Sequence, residues 1–108
     1  MTSTTLISLA VPVVQIAASV PLAQGRIPPN GWYGFRTSKT LSSSELWYRA
    51  NRLGGRYFII AGLIELAAAA VLAATPLNDS AYVLWLQLAI VGPLLASVLL
   101  WWIKVSRF

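Results

Sequence analysis

Residues 27–55 read IPPNGWYGFRTSKTLSSSELWYRANRLGG, and this stretch decides how the remainder of the chain must be arranged. With Arg26 and Arg56 at its two ends it gathers Arg36, Lys39, Arg49 and Arg52, six of the eight basic residues, against one acid, Glu45. Trp32, Tyr33, Phe35, Trp47 and Tyr48 are interleaved with them. Both flanks are strongly apolar, so a cationic, ring-rich connection of residues 24–56 lies between two hydrophobic segments. Such a connection belongs at a membrane surface, where Lys, Arg and aromatic rings all find partners.

Moving outward, the C-terminal flank runs apolar from about residue 57 to 75, and the N-terminal flank from about residue 5 to 22, each near the roughly 20 residues that a helix needs to cross a bilayer. A breaker, TPLNDS over residues 75–80, separates the second span from a third at about residues 81–103. Pro12 is expected to kink the first span, and Gly92 with Pro93 to bend the third. Trp101 and Trp102 close the third span like an interfacial belt, followed by Lys104 and Arg107. Met1 to Thr4 is polar and carries no Lys or Arg, and Pro21, Leu22 and Ala23 make a poor cleavage site, so the first span is expected to stay as an anchor.

Composition agrees with this reading, because 57% hydrophobic and 10% charged residues lie outside the range of soluble domains. The expected class is an all-α membrane protein forming a single domain over residues 1–108. With no cysteine and no histidine the chain offers neither thiolate nor imidazole, and no cofactor or metal is expected. Six cations in or beside the first connection and two in the tail, against none in the second turn, place connection and tail on the cytoplasmic side with Met1 outside.

Inside the connection, Pro28, Pro29, Asn30 and Gly31 read as a turn, and Gly34 supplies a second position where positive φ costs little. Ser42 and Glu45 have the spacing of a capping box, which predicts a short helix over about residues 43–53, ended by Gly54 and Gly55. Leu46, Trp47, Ala50 and Leu53 share one face of it and Arg49, Arg52 and Arg56 another, the pattern of an amphipathic interfacial helix lying in the headgroup plane. Two uses follow for these cations. They can dock an anionic peptide, a protein partner or a lipid headgroup, or they can anchor the loop on anionic lipid at about 1 kcal/mol each. Direct nucleic-acid binding is not expected, since the charge is tied to the membrane surface and no nucleic-acid fold is visible.

Three strongly polar groups stand out within the spans: Gln15, Glu65 and Gln87. Glu65 falls roughly 12 Å into the second span, where a charge costs on the order of 2.5 to 3.5 kcal/mol, and it shares its face with Ala61, Gly62, Ala68 and Ala69. Small residues serve close helix packing, so Glu65 is expected to point into the bundle or an oligomer interface, with Gln15 at the same depth as its hydrogen-bond partner. Gln87 sits nearer the outer face. Glu65 is either a proton or cation site or a protonated acid joining helices. No nucleophile and base pair, phosphate loop or dinucleotide fingerprint is present, and no enzymatic activity is expected.

The run Asn30, Gly34, Arg36 and Thr37, Thr40 and Leu41, Trp47, Asn51 and Arg52, and Gly55 resembles the signature of the SdpI family of small bacterial membrane proteins, with Gly62 as the family's following glycine. The chain departs at Ser38 and Lys39, where many relatives have a proline and then an aromatic residue, and it lacks the additional spans of the larger family architecture. The resemblance implies residence in the bacterial inner membrane and immunity to a secreted membrane-active toxin peptide, coupled in some systems to capture of a transcriptional repressor. It implicates Asn30, Gly34, Arg36, Thr37, Trp47, Asn51 and Arg52. Arg36 and Arg52 offer fixed forks that either bind a partner or lock the loop internally. The leading expectation is an immunity or signalling protein that binds through its loop and bundle face. The alternatives are a proton-coupled small transporter using Glu65, working as a homo-oligomer, and an accessory subunit of a larger membrane complex.

Overall fold

The computed structural model describes residues 3–108, and the polar start expected at Met1 and Thr2 lies outside the described residues. Among these residues there are three α-helices, α1 (Ser3–Ala23), α2 (Ser44–Ala73) and α3 (Asp79–Ser106), one 3-10 turn at Thr40–Ser42, and no strand. All three helices are long and apolar enough to cross a membrane. The expected three-span, all-α architecture is what the chain adopts; α2 starts well before the expected residue 57 and ends just short of 75, and α3 overruns 81–103 at both ends.

The largest correction concerns the short interfacial helix. No separate element exists there: residues 44–56 are the first turns of α2, which continues through Gly54 and Gly55 without a break. Glycine weakens a helix interior by only about 1 kcal/mol, and here both glycines are buried against neighbours that a side chain would displace. A Cβ on Gly55 would lie 2.6 Å from the Ala23 backbone nitrogen and 2.8 Å from the Ser19 carbonyl oxygen, and one on Gly54 would enter the Phe35 ring. The pair is therefore a site of close approach. At 30 residues α2 is about 45 Å long against a hydrocarbon layer of about 30 Å, so its first turns stand out of the apolar layer as an upright post.

The helix start is also displaced. Ser43, with φ −156° and ψ 156°, is the N-cap, and its hydroxyl accepts from the Leu46 amide at 3.1 Å. Ser42 is unavailable because it ends the 3-10 turn, with its hydroxyl donating to the Lys39 carbonyl at 2.5 Å. Glu45 keeps a place in the first turn of α2, where the helix dipole favours it.

Thr5, Ser8, Pro12 and Ser19 of α1 are all buried, and Ser19 and Pro12 lie against α2 at Gly55 and Gly62. Gly62 continues the close approach two turns below Gly55, since a Cβ there would lie 2.5 Å from Ile16 Cγ1 and 3.3 Å from the Pro12 carbonyl. Small residues let membrane helices gain dispersion contact where no hydrophobic drive exists. α2 and α3 join at both ends. Ala69, Leu86 and Ile90 cluster with Leu9 and Tyr82 near the α2–α3 turn, and Ala50, Trp101 and Val105 with Phe35, Leu53, Tyr57 and Phe108 at the loop end. Trp101 turns inward, 4% exposed, and donates from Nε1 to the Ala50 carbonyl at 2.8 Å, while Trp102 at 59% exposure alone has the belt position expected of both. Asn78 caps α3 by accepting from the Ala81 amide at 2.8 Å.

Candidate functional site: a clamped loop over a membrane cleft

The connection between α1 and α2 folds back onto the bundle, and its own side chains hold it there. Gly25 (φ 70°) turns the chain out of α1, and Asn30 then closes a tight turn, its Oδ1 accepting from the Trp32 and Tyr33 amides at 2.9 and 2.6 Å. Asn30 Nδ2 donates to the Pro28 carbonyl at 2.9 Å. Arg36 donates to the Gly31 carbonyl, which is the internal locking role, and Tyr33 donates its hydroxyl to the Ala18 carbonyl in α1. Thr37 and Thr40 cap each other: the Thr37 amide donates to Thr40 Oγ1 at 2.8 Å and the Thr40 amide to Thr37 Oγ1 at 3.1 Å.

Two side chains from the post grip this loop. Asn51 is 2% exposed; its Oδ1 accepts from the Phe35 amide at 2.6 Å, and its Nδ2 donates to the Trp47 carbonyl at 2.9 Å and the Phe35 carbonyl at 3.3 Å. The amide of one asparagine thus pairs both backbone groups of Phe35, as a neighbouring strand would. Trp47, with no exposed surface, donates from Nε1 to the Ile27 carbonyl at 2.8 Å. Gly34 (φ 111°) passes so close that a Cβ would lie 2.7 Å from Asn51 Oδ1 and 3.2 Å from the Trp47 ring. Only glycine satisfies both the backbone angle and the space.

The grip delivers Phe35 into the bundle, edge-on to Phe58 at 4.8 Å and tilted on Trp101 at 5.0 Å between ring centroids. Phe35 and Tyr33 are the site residues that sequence reasoning does not single out. The density of rings in the loop is their only signal, since their partners come from α1, α2 and α3. Lys39 Nζ donates to the Ser106 carbonyl at 3.2 Å, so loop and tail meet at one end of the molecule, as crossing parity requires.

The cations of the post face outward. Arg49, Arg52 and Arg56 are exposed; the Arg49 guanidinium lies 4.0 Å from the Phe108 ring centroid, and that of Arg52 lies 5.9 Å from the Tyr48 ring. Within the spans, Gln15 Nε2 donates to Glu65 Oε2 at 2.9 Å and to the Phe58 carbonyl at 2.8 Å, which is the partnership expected from their equal depth. Glu65 has no exposed surface, and Glu65 Oε1 and Gln15 Oε1 are both buried without a partner. Gln87 donates to the Ser8 hydroxyl at 2.6 Å and so ties α3 to α1. Among the described residues, no three His, Cys, Asp or Glu side chains come together as a metal site would need.

Beneath the loop an apolar cleft of about 560 Å³ opens between α1 and α3. Val11, Val14 and Ala18 line one wall, Leu94 the other, and Gly34 with Phe35 forms the roof. Gln15 and Ser19 are the polar side chains of its lining, and through Gln15 the cleft and Glu65 are one side chain apart. Its lining is otherwise apolar.

A family model described as the SdpI/YfhL protein family matches residues 26–103, which takes in the loop, all of α2 and nearly all of α3. No curated protein and no solved structure gives a match.

Proposed function

The chain belongs to the SdpI/YfhL protein family, and from that footing we propose that it is a non-enzymatic immunity or signalling protein of the bacterial inner membrane, capturing a membrane-active toxin peptide or a protein partner at its loop and bundle face. The family supplies the expectation of immunity. The observation that carries the reading is the cleft beside α1, walled by Phe58 and Leu94, mostly apolar within, and roofed by the clamped loop. A peptide that inserts into the bilayer arrives by way of the apolar layer, and this cleft presents it with wall, roof and one hydrogen-bonding amide. The loop cations lie on the inner side in this reading, with the N-terminus outside, as the distribution of Lys and Arg favours. There they can hold a protein partner, a transcriptional repressor among the candidates.

The experiment is protection. Toxin-sensitive bacteria expressing the chain are challenged with the secreted peptides of its own source culture. The wild type is expected to raise survival. Filling the cleft with Ala18→Trp is expected to weaken protection about tenfold at unchanged membrane abundance, the factor given by about 1.4 kcal/mol of lost fit. Arg36→Ala is expected to weaken it through a loosened loop. Unchanged protection in Ala18→Trp would count against the cleft.

A second reading, proton-coupled transport, draws on the unpartnered Gln15 and Glu65 oxygens beside the cleft floor. Loss of protection with Glu65→Gln alone would favour it over peptide capture.

A further inference from the structure

Two hollows lie end to end along the groove between α2 and α3, on a different face of the bundle from the cleft. Arg49, Arg52 and Arg56 with Lys104 line the outer one, about 750 Å³, with Glu45 at its rim. Tyr57, Ile60 and Ile64 with Pro93, Ala96 and Leu100 line the inner one, about 260 Å³. On α2 the positions 49, 52, 56, 60 and 64 recur at helical spacing, and on α3 the positions 93, 97, 100 and 104 do the same, with Phe108 just past the helix end, so each helix gives one stripe to both hollows. The stripe changes from cationic to apolar between Arg56 and Ile60 on one side and between Lys104 and Leu100 on the other. The cationic residues thus share one end of the groove and the apolar residues the other.

Four cations gathered around one carboxylate repel one another, and among the described residues none of the four forms an ion pair. An anion placed among them would remove that repulsion. A soluble anion would leave the apolar hollow below it open, whereas a phospholipid supplies a phosphodiester at the level of the cations and a chain for the hollow. Ile60, Ile64 and Leu100, each more than half exposed, would lie along that chain.

We propose that this groove is a binding site for one anionic phospholipid of the loop-side leaflet, its phosphate held by Arg52, Arg56 and Lys104 and one acyl chain seated along Ile60, Ile64 and Leu100. The Arg49 guanidinium stacks on Phe108, and that of Arg52 lies against Gly25 and 5.9 Å from the Tyr48 ring, so both side chains are held in place beside the groove. The site is independent of the toxin cleft, and a lipid seated here would cement α3 to the post of α2.

The test is lipid retention by the full chain in a mild non-ionic detergent, read by native mass spectrometry after addition of dioleoylphosphatidylglycerol or dioleoylphosphatidylcholine. The wild type is expected to retain phosphatidylglycerol in preference to phosphatidylcholine. Arg56→Gln with Lys104→Gln is expected to weaken phosphatidylglycerol retention roughly thirtyfold, about 2 kcal/mol at 1.4 kcal/mol per tenfold, the pull of two cations on an anionic headgroup. Ala96→Phe, which fills the inner hollow from the exposed side of α3, is expected to weaken it about tenfold with every charge in place. Equal retention of the two lipids by the wild type overturns the proposal without recourse to any variant. Retention unchanged in Ala96→Phe overturns it in favour of a headgroup-only anion site. Because the readout is lipid and not protection, failure here leaves the toxin reading untouched, and the reverse holds as well.

Discussion

Asn51→Leu is expected to release the loop from the bundle while leaving the three spans inserted. The substitution keeps most of the side-chain volume but removes the acceptor of the Phe35 amide at 2.6 Å and the donor to the Phe35 and Trp47 carbonyls. The three missing bonds are worth about 1 kcal/mol each, which comes to about 3 kcal/mol in total. Phe35 would then lose its fixed place between Phe58 and Trp101. Trypsin provides the measurement. Arg36 and Lys39 lie in the clamped segment, and the wild type in mild detergent should resist cleavage there, whereas Asn51→Leu should be cut rapidly at both. Equal resistance of the two proteins would mean that the loop does not depend on Asn51.

Gly55→Ala and Gly92→Ala make the same chemical change with opposite expected outcomes. At Gly55 the new Cβ would meet backbone atoms of Ala23 and Ser19, which cannot rotate away, so α1 must move off α2. Loosened packing along that helix crossing is expected to cost about 3 kcal/mol, of which helix propensity returns about 1 kcal/mol. At Gly92 nothing lies within 4 Å, and alanine should stabilise α3 by up to about 1 kcal/mol. Unfolding in mixed micelles of increasing denaturing-detergent fraction measures both. Equal behaviour of the two variants would contradict the close approach.

The three spans, the turn at residues 75–80 and the pairing of Gln15 with Glu65 are all legible in the sequence, because each follows from a local run of apolar residues or from depth counted along a helix. Gly54 and Gly55 mislead for a physical reason. A glycine pair after an amphipathic stretch has the same local signal whether it stops a helix or admits a neighbouring backbone, and only the position of α1, fixed by distant residues, separates the two. Ser42 and Glu45 mislead similarly, since Ser42 is taken up by the 3-10 turn that the Thr37 and Thr40 pair leads into.

The residues of the signature divide in a way that the sequence does not reveal. Asn30, Gly34, Thr37, Thr40, Trp47 and Asn51 build and hold the loop, and Arg36 is bonded to the loop's own Gly31, so the surface left for partners is that of Arg49, Arg52 and Arg56 and the exposed Trp32. Residues with the look of partner contacts are the scaffold that shapes the roof of the cleft. Lys39 and Ser106, by contrast, give the parity of the spans a direct structural counterpart.

Everything proposed for the loop requires that it faces the cell interior. The chain has no cysteine, so Ser38→Cys in the loop and Ser80→Cys at the start of α3 each create a unique, exposed thiol. Treated with a membrane-impermeant maleimide, intact cells should label Ser80→Cys at once and Ser38→Cys only after lysis. Labelling of Ser38→Cys in intact cells, with Ser80→Cys protected until lysis, would contradict the inward-facing loop and with it the proposed route to a partner.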